Sequence, residues 1–222
     1  MTERREYRWR KTDESDILAH CPDHERSFLF YARTYTAGQG YQYSETNQLI
    51  LNLKIRQDDI KRNPQRLQYK QRAIQQFAQE VSALLRDRLE PKLSLILVPM
   101  PPSKERSEPE YDDRVEQVVK AVAESIEGVR WMPLIYTAKS MESYHLRSDG
   151  RNPNDIYLAM QLDEAIALHC KSNDIIALVD DVLTSGAHFT AARNRVHERL
   201  PDALVIGIFW AKAVSYGLSS EV

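Results

Sequence analysis

Ile175-Ile-Ala-Leu-Val-Asp-Asp-Val-Leu-Thr-Ser-Gly-Ala-His-Phe-Thr-Ala-Ala192 is the stretch on which the reading of this chain turns. The apolar run at 175–179 suits a strand covered on both faces. Two adjacent acids follow, Asp180 and Asp181, then an apolar pair and the small turn Thr184-Ser185-Gly186, and a helix is expected over 189–200. Ligands of open α/β sheets bind beyond the carboxyl ends of strands. A turn of this composition offers backbone N–H groups and hydroxyls at a helix start, where the dipole favours an anion. Gly186 lets the backbone approach a phosphate closely. Adjacent carboxylates accept vicinal sugar hydroxyls and can help hold a divalent cation. An ordinary strand-turn-helix crossover can also carry Asp, Thr, Ser and Gly. It leaves the whole ordered string unexplained, and that string describes a site for a phosphorylated sugar.

Outward from this stretch, strands and helices alternate. Leu67, Ile74, Phe77, Ala78, Val81, Leu84, Leu85 and Leu89 recur at three- and four-residue steps and predict an amphipathic helix closed by Pro91. A continuous apolar strand is expected at 93–98. Val115, Val118, Val119, Val122, Ala123 and Ile126 mark a second helix. Residues 129–136 read as one edge strand despite Pro133, 163–169 as a short helix and 203–210 as a final strand. Residues 27–35 read as a strand, 48–55 as strand or helix, 139–155 as a long polar loop and 1–26 as an irregular or partly ordered arm. The prediction is an α/β domain, a mostly parallel sheet flanked by helices over 48–222, with an N-terminal arm and hood elaboration over 1–47.

Composition narrows the class. A chain of 222 residues can bury a core without disulfides or metals. Apolar residues at 42% and charged residues at 28% give an ordinary soluble profile. The net charge of -2 supplies no global positive field for nucleic acid. Two cysteines, Cys21 and Cys170, are too few for a disulfide framework and fit a reducing compartment. No stretch approaches the roughly 18–20 consecutive apolar residues of a membrane span. The charged first ten residues have no apolar core behind them, unlike a secretory signal. The expected location is the cytoplasm, with no membrane partner.

The stretch at 175–192 resembles the 5-phosphoribosyl 1-pyrophosphate (PRPP) binding motif of type I phosphoribosyltransferases. Its wider context is similar to the competence protein F (ComF)-like members of that fold. Three more stretches carry the narrower likeness: Leu95-Ile-Leu-Val-Pro-Met-Pro-Pro-Ser-Lys-Glu-Arg106, His145-Leu-Arg-Ser-Asp-Gly-Arg-Asn152 and Asn52-Leu-Lys-Ile55. The likeness spans residues 48–212. It implies that Asp180 and Asp181 bind the ribose hydroxyls and help hold Mg²⁺. Leu183, Thr184, Ser185, Gly186, Ala187 and His188 would wrap the 5′-phosphate, and Pro101, Pro102, Ser103 and Lys104 would face the pyrophosphate. Residues 139–152 would stand where relatives carry a mobile lid. There Arg147 and Arg151 either clamp a second phosphate or acceptor carboxylate, or simply solubilise the loop.

The implied activity moves phosphoribose to or from a nitrogenous acceptor, or hydrolyses a related nucleotide, with a homodimer common for the fold. The alternative is a phosphoribosyltransferase-fold ligand sensor or nucleic-acid accessory protein without turnover. Replacing both acids, Asp180→Asn with Asp181→Asn, is expected to abolish sugar-phosphate binding and leave the thermal transition in place.

Several residues depart from the family pattern. His188 stands where a small hydroxylated residue is usual. Glu108-Pro-Glu-Tyr-Asp-Asp113 replaces a basic segment, and its carboxylates oppose a pyrophosphate that Lys104 and Arg106 offset only in part. The family's cysteine-rich zinc module is missing, and His20-Cys-Pro-Asp-His24 reads as a polar loop because structural zinc wants four ligands. The basic run Lys54, Arg56, Lys61, Arg62, Arg66, Lys70 and Arg72 reads as a solvated helix face. Arg4, Arg5, Arg8, Arg10 and Lys11, interleaved with Tyr7 and Trp9, suit single-stranded nucleic acid, unless Trp9 has a docking groove within the fold.

Overall fold

The computed structural model describes residues 7–13, 16, 18–21, 27–90, 92–140 and 153–215. Along the chain run β1 (Arg10–Lys11), β2 (Leu29–Thr36), α1 (Glu45–Leu53), α2 (Gln57–Arg62), α3 (Arg66–Arg88), β3 (Ser94–Pro99) and α4 (Arg114–Ser125). They continue as β4 (Val129–Trp131), β5 (Ile135–Thr137), α5 (Pro153–Ala159), β6 (Met160–Leu162), α6 (Glu164–Ala167), β7 (Asp174–Leu183), α7 (Ala187–Arg199) and β8 (Leu204–Val214). The main sheet has the order β1-β2-β8-β7-β3-β4 and is parallel throughout except for the β1–β2 pair. The fold is α/β with a mostly parallel sheet flanked by helices.

The apolar strand runs are continuous because both faces are covered. In β3, Leu95 and Leu97 pack on the side of α1, α3 and α4, with Ile50, Phe77 and Val118. Ile96 and Val98 point the other way, toward Ile156 of α5 and Phe189 and Val196 of α7. This is the two-residue alternation of a strand, and β7 repeats it with Ala177 and Val179 against Ile176 and Leu178.

Helix α3 is amphipathic as expected, and its buried stripe includes Ala73, Ile74, Phe77, Val81, Leu84 and Leu85. Phe77 stacks on Trp210 at 4.8 Å between centroids. Beside them Glu80 is 1% exposed. It accepts hydrogen bonds from Arg33 (2.6 and 3.0 Å), Gln76 (2.7 Å) and the Trp210 indole (2.7 Å), so a buried charge is fully partnered.

Several expectations are corrected. Residues 48–55, open between strand and helix, are helical as far as Leu53 and belong to α1, started by Ser44, whose hydroxyl accepts the Asn47 N–H at 3.0 Å. The single strand expected at 129–136 is two: β4 joins the main sheet, while β5 pairs antiparallel with β6. Pro133, which lacks an N–H for the ladder, lies at the break. Part of the expected loop at 139–155 belongs to α5, and β6 follows directly. The strand expected to stop at Val179 runs on to Leu183, so Asp180 and Asp181 lie inside β7, opposite the extended β8.

The described part of the arm is partly ordered: apart from β1 its backbone is irregular, yet it docks on the fold. β1 pairs with β2, Leu18 and Cys21 are buried, and Trp9 donates its indole N–H to the Glu80 carbonyl at 3.1 Å. Trp9 has its docking groove within the fold. The strand β2, within the 1–47 segment, lies between β1 and β8 in the main sheet.

Candidate functional site

Sheet order decides where a site forms. β3 leads through α4 to β4 on one side, and β7 leads through α7 to β8 on the other. Between β3 and β7 the chain therefore departs in opposite directions, and a crevice opens at their carboxyl ends. A cleft of about 820 Å³ lies there. Leu183, Thr184, Ser185, Gly186, Ala187 and His188 line it from β7 and α7, together with Asp180 and Asp181. Pro101, Pro102, Ser103 and Lys104 line it from the end of β3. The structure thus brings both predicted loops to one cavity. Arg147 and Arg151, like the rest of 141–152, lie outside the described residues, as do Arg4, Arg5 and His24.

The turn before α7 owes its shape to Gly186, whose φ is +81°. A Cβ there would stand 2.7 Å from the Cβ of Cys21. The close approach that glycine permits is therefore made by the arm. His20 donates its backbone N–H to the Ser185 carbonyl at 2.8 Å, and the Thr190 hydroxyl donates to the His20 carbonyl at 2.7 Å. A trans peptide points its C=O and N–H in opposite directions. With the Ser185 carbonyl turned to the arm, the Gly186 N–H is turned away from it.

The two acids differ sharply. Asp180 accepts the Asp181 backbone N–H at 2.8 Å, and its other oxygen stands 3.7 Å from His188 Nδ1, too far for a hydrogen bond. Asp181 is 4% exposed. One of its oxygens meets Lys54 Nζ at 3.2 Å, and the other accepts from Arg114 Nε at 3.0 Å and Nη2 at 2.7 Å. Burial pushes the Asp181 carboxyl up, but Lys54 and Arg114 outweigh burial and hold it well below the usual carboxylate range. Burial likewise opposes the charge on Arg114, and Asp181 and Asp112 overcome it and raise the guanidinium above its ordinary value.

This network reaches further than the motif. Arg114 also meets Asp112 at 2.8 Å, and Asp112 takes Lys70 Nζ at 2.8 Å. Lys70 is 3% exposed and gives a second hydrogen bond to the Ile55 carbonyl at 2.9 Å. Lys54, Arg56 and Lys61 line the cleft. The basic run read as a solvated face is therefore corrected in part: one lysine is buried and three of its cations border the cavity. The sequence showed the basic run but not which way each residue faces. Arg114 carried no signal of its own, since its role depends on β7 lying beside the start of α4.

The acidic loop is matched in part: Asp112 pairs with Lys70 and Arg114, while Glu110 borders the cleft. Glu108 pairs with Lys104 at 3.0 Å, Glu105 bonds Ser140, and Glu116 pairs with Arg106 and Lys120. Mg²⁺ is commonly held by one or two carboxylates together with waters and substrate phosphates. Both Asp181 oxygens face protein cations, so Asp180, which lines the cleft, is the acid of the pair that could help hold one. Among the described residues no cluster of three His, Cys, Asp or Glu side chains could hold a metal. None of their helices is long and apolar enough to cross a membrane.

No protein-family model matches the chain, and no curated protein does. Among solved structures, a hypoxanthine phosphoribosyltransferase from Staphylococcus aureus is similar at 13% identity over 64% of this chain and 73% of that one, with a TM-score of 0.38. A likeness this loose says nothing about chemistry, which rests on this chain's own residues.

Proposed function

We propose that this chain is a phosphoribosyltransferase-type protein. It takes PRPP or a nucleotide in the β3–β7 cleft and moves phosphoribose to or from a nitrogenous acceptor. The observation that carries the reading is the meeting of residues 184–188 and 101–104 in one cavity at the point where strand order reverses. The 5′-phosphate suits the turn at the start of α7, where backbone N–H groups of the first helical turn have no partner within the helix. Asp180 is the acid placed to accept a ribose hydroxyl, because Asp181 is engaged by Lys54 and Arg114.

Displacement at the anomeric carbon builds positive charge on the sugar and negative charge on the departing pyrophosphate. The chain would contribute positioning and fixed charge rather than a covalent intermediate. Calorimetric titration with PRPP tests the reading. We expect saturable binding in the parent and a loss of about tenfold in Asp180→Asn, the effect of one hydrogen bond to a charged group. Equal affinity in the two proteins would sink the assignment of Asp180.

A second reading, a ligand sensor without turnover, is favoured by one observation. Lys104 and Arg106, the cations of the loop after β3, are matched by Glu108 and Glu116. Release of pyrophosphate from PRPP in the presence of a panel of bases separates enzyme from sensor. A nucleic-acid role for the arm is not part of the proposal, because Tyr7 and Trp9 pack against the core.

A further inference from the structure

We infer that the corner between α1 and α2, carrying Lys54, Arg56 and Lys61, is the pyrophosphate-binding wall of the cleft, and that Asp181 is the residue that positions it. The inference rests on the reading of the cleft as a phosphoribosyl site, and goes beyond it by moving the second anion from residues 101–104 to a segment about fifty residues earlier in the chain.

Three observations carry it. First, Lys54, Arg56 and Lys61 border the same cavity as residues 184–188. Asp58 is the acid of that wall and pairs with Lys61 at 3.2 Å in an exposed contact that an incoming anion can replace. Second, the corner is pinned from two sides. Ile55 is 3% exposed and its carbonyl is held by the buried Lys70, while Lys54 reaches Asp181 across the cleft floor at 3.2 Å. A cation held in place before the ligand arrives gives more binding than one ordered on arrival. Third, of the cations in the loop expected to do this work, Lys104 is paired with Glu108, while Arg106 is paired with Glu116 of α4 and does not border this cleft.

Asp181 then has a role different from sugar or metal binding. Its two oxygens orient Lys54 and Arg114, so protein cations stand where the motif alone suggested a divalent ion. Lys54 remains 40% exposed on its side chain, which leaves room for a polyphosphate oxygen beside it. Arg114, at 19%, is the inner anchor.

The test is calorimetric titration of the full chain with inorganic pyrophosphate and, separately, with ribose 5-phosphate, each in excess chelator and in excess magnesium. Two variants accompany the parent: Lys54→Met, and the exposed pair Arg56→Gln with Lys61→Gln, which leaves the Asp181 network whole. We expect pyrophosphate to bind the parent in chelator and to weaken by about tenfold or more in each variant, the size of one lost charge-assisted contact. Ribose 5-phosphate should bind all three proteins alike. Pyrophosphate affinity unchanged in both variants, or pyrophosphate binding that needs magnesium, would overturn the inference alone. Pyrophosphate binding that depends on these residues without any ribose 5-phosphate binding would keep the anion wall and overturn the phosphoribosyl reading. Failure of both ligands to bind the parent would overturn both.

Discussion

Gly186 and Asp181 sit five residues apart and answer to different constraints. Gly186 combines a positive φ with the approach of Cys21, so Gly186→Ala meets both a disfavoured backbone and a crowded neighbour. We expect a loss of about 2–4 kcal/mol in stability, the sum of the αL penalty and local overpacking. Urea denaturation measures it, and an unchanged midpoint would show that the arm can move aside. Asp181 is a stability residue as well as a site residue. Asp181→Asn leaves Lys54 and Arg114 without their shared counter-ion, and a loss of about 3 kcal/mol is expected, near the low end because Arg114 keeps Asp112. This revises the expectation that replacing both acids leaves the thermal transition untouched. The pH dependence follows from the same pairing. Asp181 is depressed when folded, and so is Asp174, where Lys171 N–H, Ser94 and Arg130 outweigh burial. A depressed carboxylate stabilises the fold fully above its unfolded pKa of about 3.9 and loses that contribution as pH falls below it. Unfolding free energy should therefore decline in acid below about pH 4. The decline should be shallower in Asp181→Asn, and equal slopes would show that Asp181 is not depressed.

At the scale of elements, Glu80 ties much of the sheet's outer half together. Its carboxylate accepts from Arg33 of β2 and Trp210 of β8, and its backbone carbonyl accepts from Trp9 beside β1. Arg33 also reaches Glu45 in the first turn of α1 at 3.2 Å. Glu80→Gln removes the negative charge that balances a guanidinium whose side chain is 2% exposed. A loss of about 3 kcal/mol is expected, near the low end of the range for breaking a buried pair because Arg33 keeps Glu45. A double-mutant cycle with Arg33→Met measures the coupling, and a coupling energy near zero would show that water enters when the pair is broken. The same element level shows where periodicity misleads. The acids of β7 looked like a strand end because polarity usually marks the edge of a buried run. β8 extends to Val214 opposite them and continues the ladder. Residues 129–136 looked like one strand because apolar content outweighed the proline, yet Pro133 and the turn to a second ladder separate β4 from β5.

At the scale of the whole molecule, the cleft is assembled from the α1–α2 corner, the end of β3, the start of α4 and the β7–α7 turn. A ligand there binds only the folded chain. Ribose 5-phosphate at about a hundred times its Kd should add about 2.7 kcal/mol to the unfolding free energy. No shift in the melting transition at saturation would place the ligand outside the cooperative fold. The order of apolar runs, the amphipathic α3 and α4, and the Thr-Ser-Gly turn were all legible along the chain, because each is set by neighbours within a few residues. The alternation of strands and helices was enough to imply a mostly parallel sheet. Which charges meet was not legible. Lys54, Lys70, Asp112, Arg114 and Asp181 are spread along much of the chain, and their pairing follows from β7 lying beside β3 and α4 beginning over the cleft. The docking of Trp9 and Cys21 was hidden for the same reason, since their partners are Glu80 and Gly186. Local hydrogen bonding and periodicity let the sequence by itself determine most of the elements and the Thr-Ser-Gly turn that opens α7. Only the tertiary structure decided that Asp181 holds cations and that the arm braces the turn, because those contacts exist only once distant segments share one sheet.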